Sequence, residues 1–164
     1  VTAHDAALAF RSNPRLLPII LIVRIEIVRY TLLENQKDLL ALLARVLLMV
    51  LFVTFGWVKL ADISGAVASM TTIGAPFPAL SAIIAIVMEL FIGIALMVGF
   101  YTRPFALVVA VYTLGTAIIG HHYWTMTGSA QHANMINFYK NISIIGGLLL
   151  LCVTGPGKYS VDRR

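Results

Sequence analysis

The chain has 164 residues, of which 60% are hydrophobic and 12% charged, and its mean hydropathy is +0.92. That balance excludes a soluble domain of this length and points to a single all-α transmembrane domain. The net charge of +5 does not imply nucleic acid, because the basic residues sit at the ends of apolar runs, where lipid headgroups and topology account for them.

Residues 1–37 read as an N-terminal extension, separate from a transmembrane domain over 38–164. Leu16 to Val23 is apolar, but Arg24, Glu26 and Arg29 come directly after it and no A-x-A site ends it, so it does not read as a secretory signal. An interfacial or partner-contacting helix is the favoured reading there; a re-entrant or extra spanning helix is the alternative. The first run long enough to cross ~30 Å of hydrocarbon covers residues 39–59, with Asp38 placed to cap it. In the connection 61–78, Ile63, Val67, Met70 and Ile73 recur at helical spacing. Gly74 suits the end of that helix, and Pro76 and Pro78 suit its stop. A short amphipathic helix between the first two spans is expected.

The second span covers residues 79–100, and Glu89 is its only charge. Thr102-Arg103-Pro104 makes a very short turn, so the third span, 104–122, is an antiparallel neighbour of the second. The fourth span, 136–154, ends at Gly155-Pro156-Gly157. Helices are the reading for all four, since lipid offers no partner to an open backbone.

Charge counting gives an orientation. Arg11, Arg15, Arg24, Arg29 and Lys37 precede the first span, Arg103 lies in the tight turn, and Lys158, Arg163 and Arg164 lie in the tail. The other two connections hold no Lys or Arg, so four spans with both termini cytoplasmic put every basic region on one side. Cys152 is the single cysteine, which excludes an internal disulfide, a CxxC redox pair and a thiolate-rich metal site. No phosphate-cradling glycine loop, HExxH, GxSxG or nucleotide fingerprint appears.

Several stretches together resemble the DoxX family of membrane proteins. They are Leu43-Ala44-Arg45-Val46-Leu47 and Phe55-Gly56-Trp57-Val58-Lys59-Leu60 in the first span, then Gly74-Ala75-Pro76 in the connection. Glu89-Leu90-Phe91-Ile92-Gly93 and Gly99-Phe100-Tyr101-Thr102-Arg103 come next, with His121 to Trp124 at the aromatic-histidine position. Phe138-Tyr139-Lys140-Asn141 and Gly155 to Asp162 complete the match, which covers roughly residues 40–162. The resemblance implies a four-helix bundle in a bacterial inner membrane. One relative, DoxD, is a subunit of a thiosulfate:quinone oxidoreductase, so it also implies a small subunit of a redox or respiratory membrane assembly contacting quinone, with no covalently bound cofactor. Such a chain is at most part of a quinone-linked oxidoreductase. Two alternatives stand beside it: a non-catalytic accessory subunit packed onto a larger membrane complex, and a small-solute transporter.

The polar residues inside the spans are where chemistry is sought, because a lone intramembrane acid is costly and ordinarily has a partner. Glu89 lies at mid-depth, and Arg45 is the expected partner because its planar fork binds a carboxylate through two hydrogen bonds. That buried pair reads either as a staple fixing helix register or as a site that hydrogen-bonds a quinone headgroup or passes a proton. Lys59, His121, His122, Lys140 and Asn141 near the other ends of their helices make a candidate anion or quinone-oxygen site. By analogy with DoxD it suits a sulfur oxyanion, though nothing identifies thiosulfate; the plainer reading has the lysines reaching for headgroups. His121, His122 and His132 with Met126 and Met135 invite a metal, but adjacent helical histidines point about 100° apart and the spacing is a poor signal, so none is assigned.

Overall fold

A computed structural model describes residues 33–162. The reading of residues 1–37 as an interfacial or partner-contacting segment lies outside the described residues up to residue 32. Five helices run in chain order through the described residues: α1 (Lys37–Ala61), α2 (Ile63–Thr72), α3 (Pro78–Val98), α4 (Thr102–Gly120) and α5 (Gly128–Thr154). All except α2 are long and apolar enough to cross a membrane. Over the described residues the protein is thus an all-α, four-span bundle with a short helix between the first two of these spans, as the hydropathy pattern there implies.

The ends of these helices correct the sequence reading in four places. Asp38 lies inside the first turn of α1 and is no N-cap; its carboxylate accepts the backbone N–H of Lys158 at 2.9 Å. Pro78 does not stop α2 but opens α3, where its missing N–H costs nothing. The tight turn falls at residues 99–101, three residues earlier than read, and Thr102, Arg103 and Pro104 are already helical. Gly99 makes that turn possible with φ +77°, a left-handed conformation that glycine adopts without a Cβ penalty. Finally, α5 begins eight residues before its apolar run, because its polar first turns satisfy their own backbone hydrogen bonds with or without lipid. The expected α2 is present. Asp62 caps it by accepting the Gly65 N–H at 2.9 Å and the Ser64 hydroxyl at 2.8 Å.

The core is small and central. Met49 and Phe52 of α1, Leu96 of α3, Ala106, Val109 and Ala110 of α4, and Leu148 and Leu151 of α5 are buried together. Large apolar side chains such as Leu47, Val111 and Val153 point outward, where acyl chains solvate them. With lipid outside, apolar burial does not drive helix association, and close backbone approach counts instead. Gly56 shows this. A Cβ there would lie 2.6 Å from the backbone N of Leu90 and 3.0 Å from the carbonyl carbon of Glu89. Only a glycine lets α1 sit on α3 at that level.

The level matters because α3 is not a plain helix there. Residues Val87–Phe91 form a π-turn, and the N–H of Ile92 reaches back to the Val87 carbonyl. Such a bulge inserts one extra residue into a turn and is frequent at functional sites. Glu89 is at its centre.

Candidate functional site

Glu89 Oε2 accepts a hydrogen bond from Lys59 Nζ at 2.6 Å, and its Oε1 accepts one from the Tyr112 hydroxyl at 2.7 Å. Three spans therefore meet at one carboxylate: α1 through Lys59, α3 through Glu89, α4 through Tyr112. The side chains of Lys59 and Glu89 are 22% and 12% exposed, so the pair is largely shielded without being sealed. The ammonium also lies 5.8 Å from the centroid of the Phe55 ring, one turn back on α1. An ion pair in so apolar a setting offsets its desolvation only when the remaining lone pairs are also bonded, and the phenol supplies that bond.

The expected Arg45–Glu89 pair is not formed. Arg45 is 1% exposed, and its guanidinium is directed at three carbonyl oxygens. Nε donates to Met97 at 3.0 Å, Nη2 to Tyr159 at 2.7 Å, and Nη1 to Pro156. Depth explains the exchange of partners. Met97 marks the level of Arg45 on α3, and Glu89 lies about 12 Å beyond it at 1.5 Å per residue. Lys59, fourteen residues beyond Arg45 on α1, stands only about 9 Å from the level of Glu89, within reach of a lysine stem bending inward. The last carbonyls of a helix lack intrahelical donors, and Arg45 meets one of them on α3 together with two from the tail.

The tail is folded over that end of the bundle. The Val161 N–H bonds the Val98 carbonyl at 3.1 Å, and the Asp162 N–H bonds that of Gly99 at 3.0 Å. The Asp162 carboxylate accepts the N–H groups of Tyr101 and Thr102, both at 2.9 Å, and the Thr102 hydroxyl at 3.1 Å. It therefore caps α4 from sixty residues away.

The other candidate residues stay apart. His121 Nδ1 pairs with Asn134 Oδ1 at 3.0 Å, His122 Nδ1 faces the Ile119 carbonyl at 2.8 Å, and Lys140 donates to Asn137 at 2.8 Å. Asn141 is buried, seven residues from buried Leu148 and so on the same face of α5. None of these four bonds Lys59 or Glu89 among the described residues, so Lys59 leaves the predicted anion group for the carboxylate. Nor do three His, Cys, Asp or Glu side chains gather at any point among the described residues. His132 and the remaining histidines thus show no common centre there. Tyr123, Trp124, Phe138 and Tyr139 instead form an edge-to-face aromatic cluster beside that end of α5. Sequence reasoning missed Tyr112. A signal was present, since tyrosines in spans favour the interface and this one lies mid-run.

A multi-span membrane protein whose described residues hold four spans and a tyrosine-bonded lysine–glutamate pair between them is the class that fold and site define. The chain belongs to the DoxX family, whose model matches residues 40–122. It is 51% identical over 136 residues to the inner membrane protein YphA of Escherichia coli (strain K12), covering 83% of this chain and 97% of that protein. It is 39% identical over 130 residues to the inner membrane protein YqjF of the same organism, covering 79% and 95%. A shorter stretch of 69 residues is 33% identical to a Surfeit locus protein 4 homolog of Schizosaccharomyces pombe, 41% of this chain and 23% of that one. No solved structure matches significantly.

Proposed function

We propose that this chain is a small inner-membrane subunit of a redox-type assembly and that the Lys59–Glu89–Tyr112 cluster is where it contacts a quinone. The observation that carries this reading is a shielded carboxylate on a π-turn, bonded at 2.6 Å to an ammonium and at 2.7 Å to a phenol. The residues fit a quinone headgroup chemically. Lys59 and Tyr112 are donors suited to its oxygens, and Glu89 is an acceptor suited to the hydroxyls of its reduced form. A bound quinone would supply the electron chemistry; the chain's part is to orient it by hydrogen bonds and to hold or release a proton at Glu89. The fractional exposure of the pair leaves a way in from the surrounding membrane.

The test is quinone carried through gentle detergent purification, measured per mole of protein. Wild type should retain it, and Glu89→Gln and Lys59→Met should lose most of it while remaining folded. Equal retention in all three would overturn the reading. A second reading, a non-catalytic accessory subunit, is favoured by the fact that both Glu89 oxygens already have partners inside the chain. Co-purification with a much larger assembly carrying no quinone would select it. The charge pattern also supports both termini being cytoplasmic. Labelling of Cys introduced at residue 2 and at residue 76 should be protected from an impermeant reagent at the first and open at the second.

A further inference from the structure

A cavity of about 660 Å³ lies at the Arg45 end of the bundle, between the start of α4 and the end of α5. Arg103, Tyr101 and Pro104 form one wall, and Thr154, Gly155 and Pro156 the other. Among the described residues the Arg103 guanidinium makes neither an ion pair nor a hydrogen bond, in contrast to Arg45 in the same end of the molecule. It is nonetheless positioned. A Cβ on Gly155 would fall 3.3 Å from its Nη2 and 3.4 Å from its Nε, so the guanidinium lies over a bare backbone whose φ of +81° favours glycine. Asp162, the carboxylate that lines the cavity, directs its oxygens at the N–H groups of Tyr101 and Thr102 and at the Thr102 hydroxyl.

Depth selects the ligand. Residues 99–101 turn the chain between two spans, so Arg103 in the first turn of α4 stands where headgroups lie. Tyr101 and Pro104, both exposed in the cavity wall, offer ring faces suited to the upper part of an acyl chain. A phosphate diester offers two anionic oxygens to a planar guanidinium fork.

We infer that this cleft is a binding site for the phosphate of an anionic phospholipid, held by Arg103 against Gly155. The site is independent of Glu89 and of any quinone. Full-length protein purified in mild detergent with phosphatidylglycerol should carry that lipid in native mass spectra, and Arg103→Gln should carry roughly fivefold less, the effect of one interfacial cation. Lys158→Gln, at the same end but outside the cavity, should retain it. Equal retention by Arg103→Gln and wild type would overturn the site. Loss in Lys158→Gln as large as in Arg103→Gln would reduce it to diffuse charge attraction. Displacement of the lipid by millimolar inorganic phosphate would make free phosphate the ligand and overturn the lipid assignment; retention supports it. Should Arg103→Gln fail to fold, photo-activatable phosphatidylglycerol on wild type decides: labelling at residues 101–104 and 154–157 supports the site, and labelling elsewhere overturns it.

Discussion

At one end of the bundle Arg45 directs its guanidinium at three neutral carbonyl oxygens, whereas further along Glu89 meets an ammonium and a phenol. The first arrangement ties α1 to the end of α3 and to the tail, and nothing in it changes charge at ordinary pH. The second joins α1, α3 and α4 at one carboxylate, which sits on a helix whose turn has been widened. Arg45 is fully buried and the Glu89 pair only partly so, but it is their partners that set them apart. Neutral acceptors make a clamp; an oppositely charged partner makes an ion pair, the arrangement on which the proposed site rests. A charge in a membrane span therefore says that something is there, and only its partner says whether that something is structural.

The clamp is the easier of the two to break. Arg45→Ala removes three charge-assisted hydrogen bonds from a buried position and should cost about 3–5 kcal/mol, with Arg45→Lys restoring only part of it. Thermal unfolding in detergent checks this, and a wild-type melting curve for Arg45→Ala would show that the tail is not held by this residue. Next in size is Gly56→Ala. Its methyl would meet the backbone of the π-turn, so helix separation and a loss of about 1–3 kcal/mol are expected. Because the shift is local to Glu89, the same substitution should also reduce quinone retention if the proposed site is correct.

The Glu89 cluster should lose less. Glu89→Gln alone, or Lys59→Met alone, leaves one charge without its partner and should cost about 1–2 kcal/mol in the membrane environment. The double variant should be more stable than the sum of the singles predicts, since it leaves neither charge behind. Strict additivity in that cycle would mean the two groups do not interact energetically. The smallest effect concerns Asp62, whose carboxylate is held below its ordinary pKa of 3.8 first by the Gly65 N–H and then by the Ser64 hydroxyl. A lowered folded-state pKa stabilises the start of α2 at every pH above that ordinary value. The contribution is lost as pH falls through the folded value. Amide exchange at Gly65 should accordingly quicken relative to the rest of α2 in acid, and Asp62→Asn should abolish that dependence.

Much of the architecture was open to reading from residues alone. Four spans, the helix over Ile63–Thr72 and the stop at Gly155 come from apolar length, helical spacing and turn chemistry, which are local properties. Glu89 was singled out for the same reason, as the one charge in a long apolar run. Its partner was misjudged because carboxylate chemistry favoured arginine, while the actual choice depended on which cation stood at its depth and which had carbonyls nearer to hand. The capping of α4 by Asp162 escaped notice because sixty residues separate donor from acceptor. The π-turn escaped because an extra residue in a turn carries no composition of its own.

Sequence by itself determined that this protein lives in a membrane, where its four described spans lie, and which acidic side chain is out of place there. Those conclusions need only the cost of burying a backbone or a charge in hydrocarbon, a cost each segment meets on its own. Tertiary structure decided who answers each charge: carbonyls for Arg45, a lysine and a tyrosine for Glu89, and no protein group for Arg103 among the described residues. Such choices turn on differences of a few ångströms in depth between packed helices, and packing sets those differences through contacts such as Gly56 on the turn at Glu89.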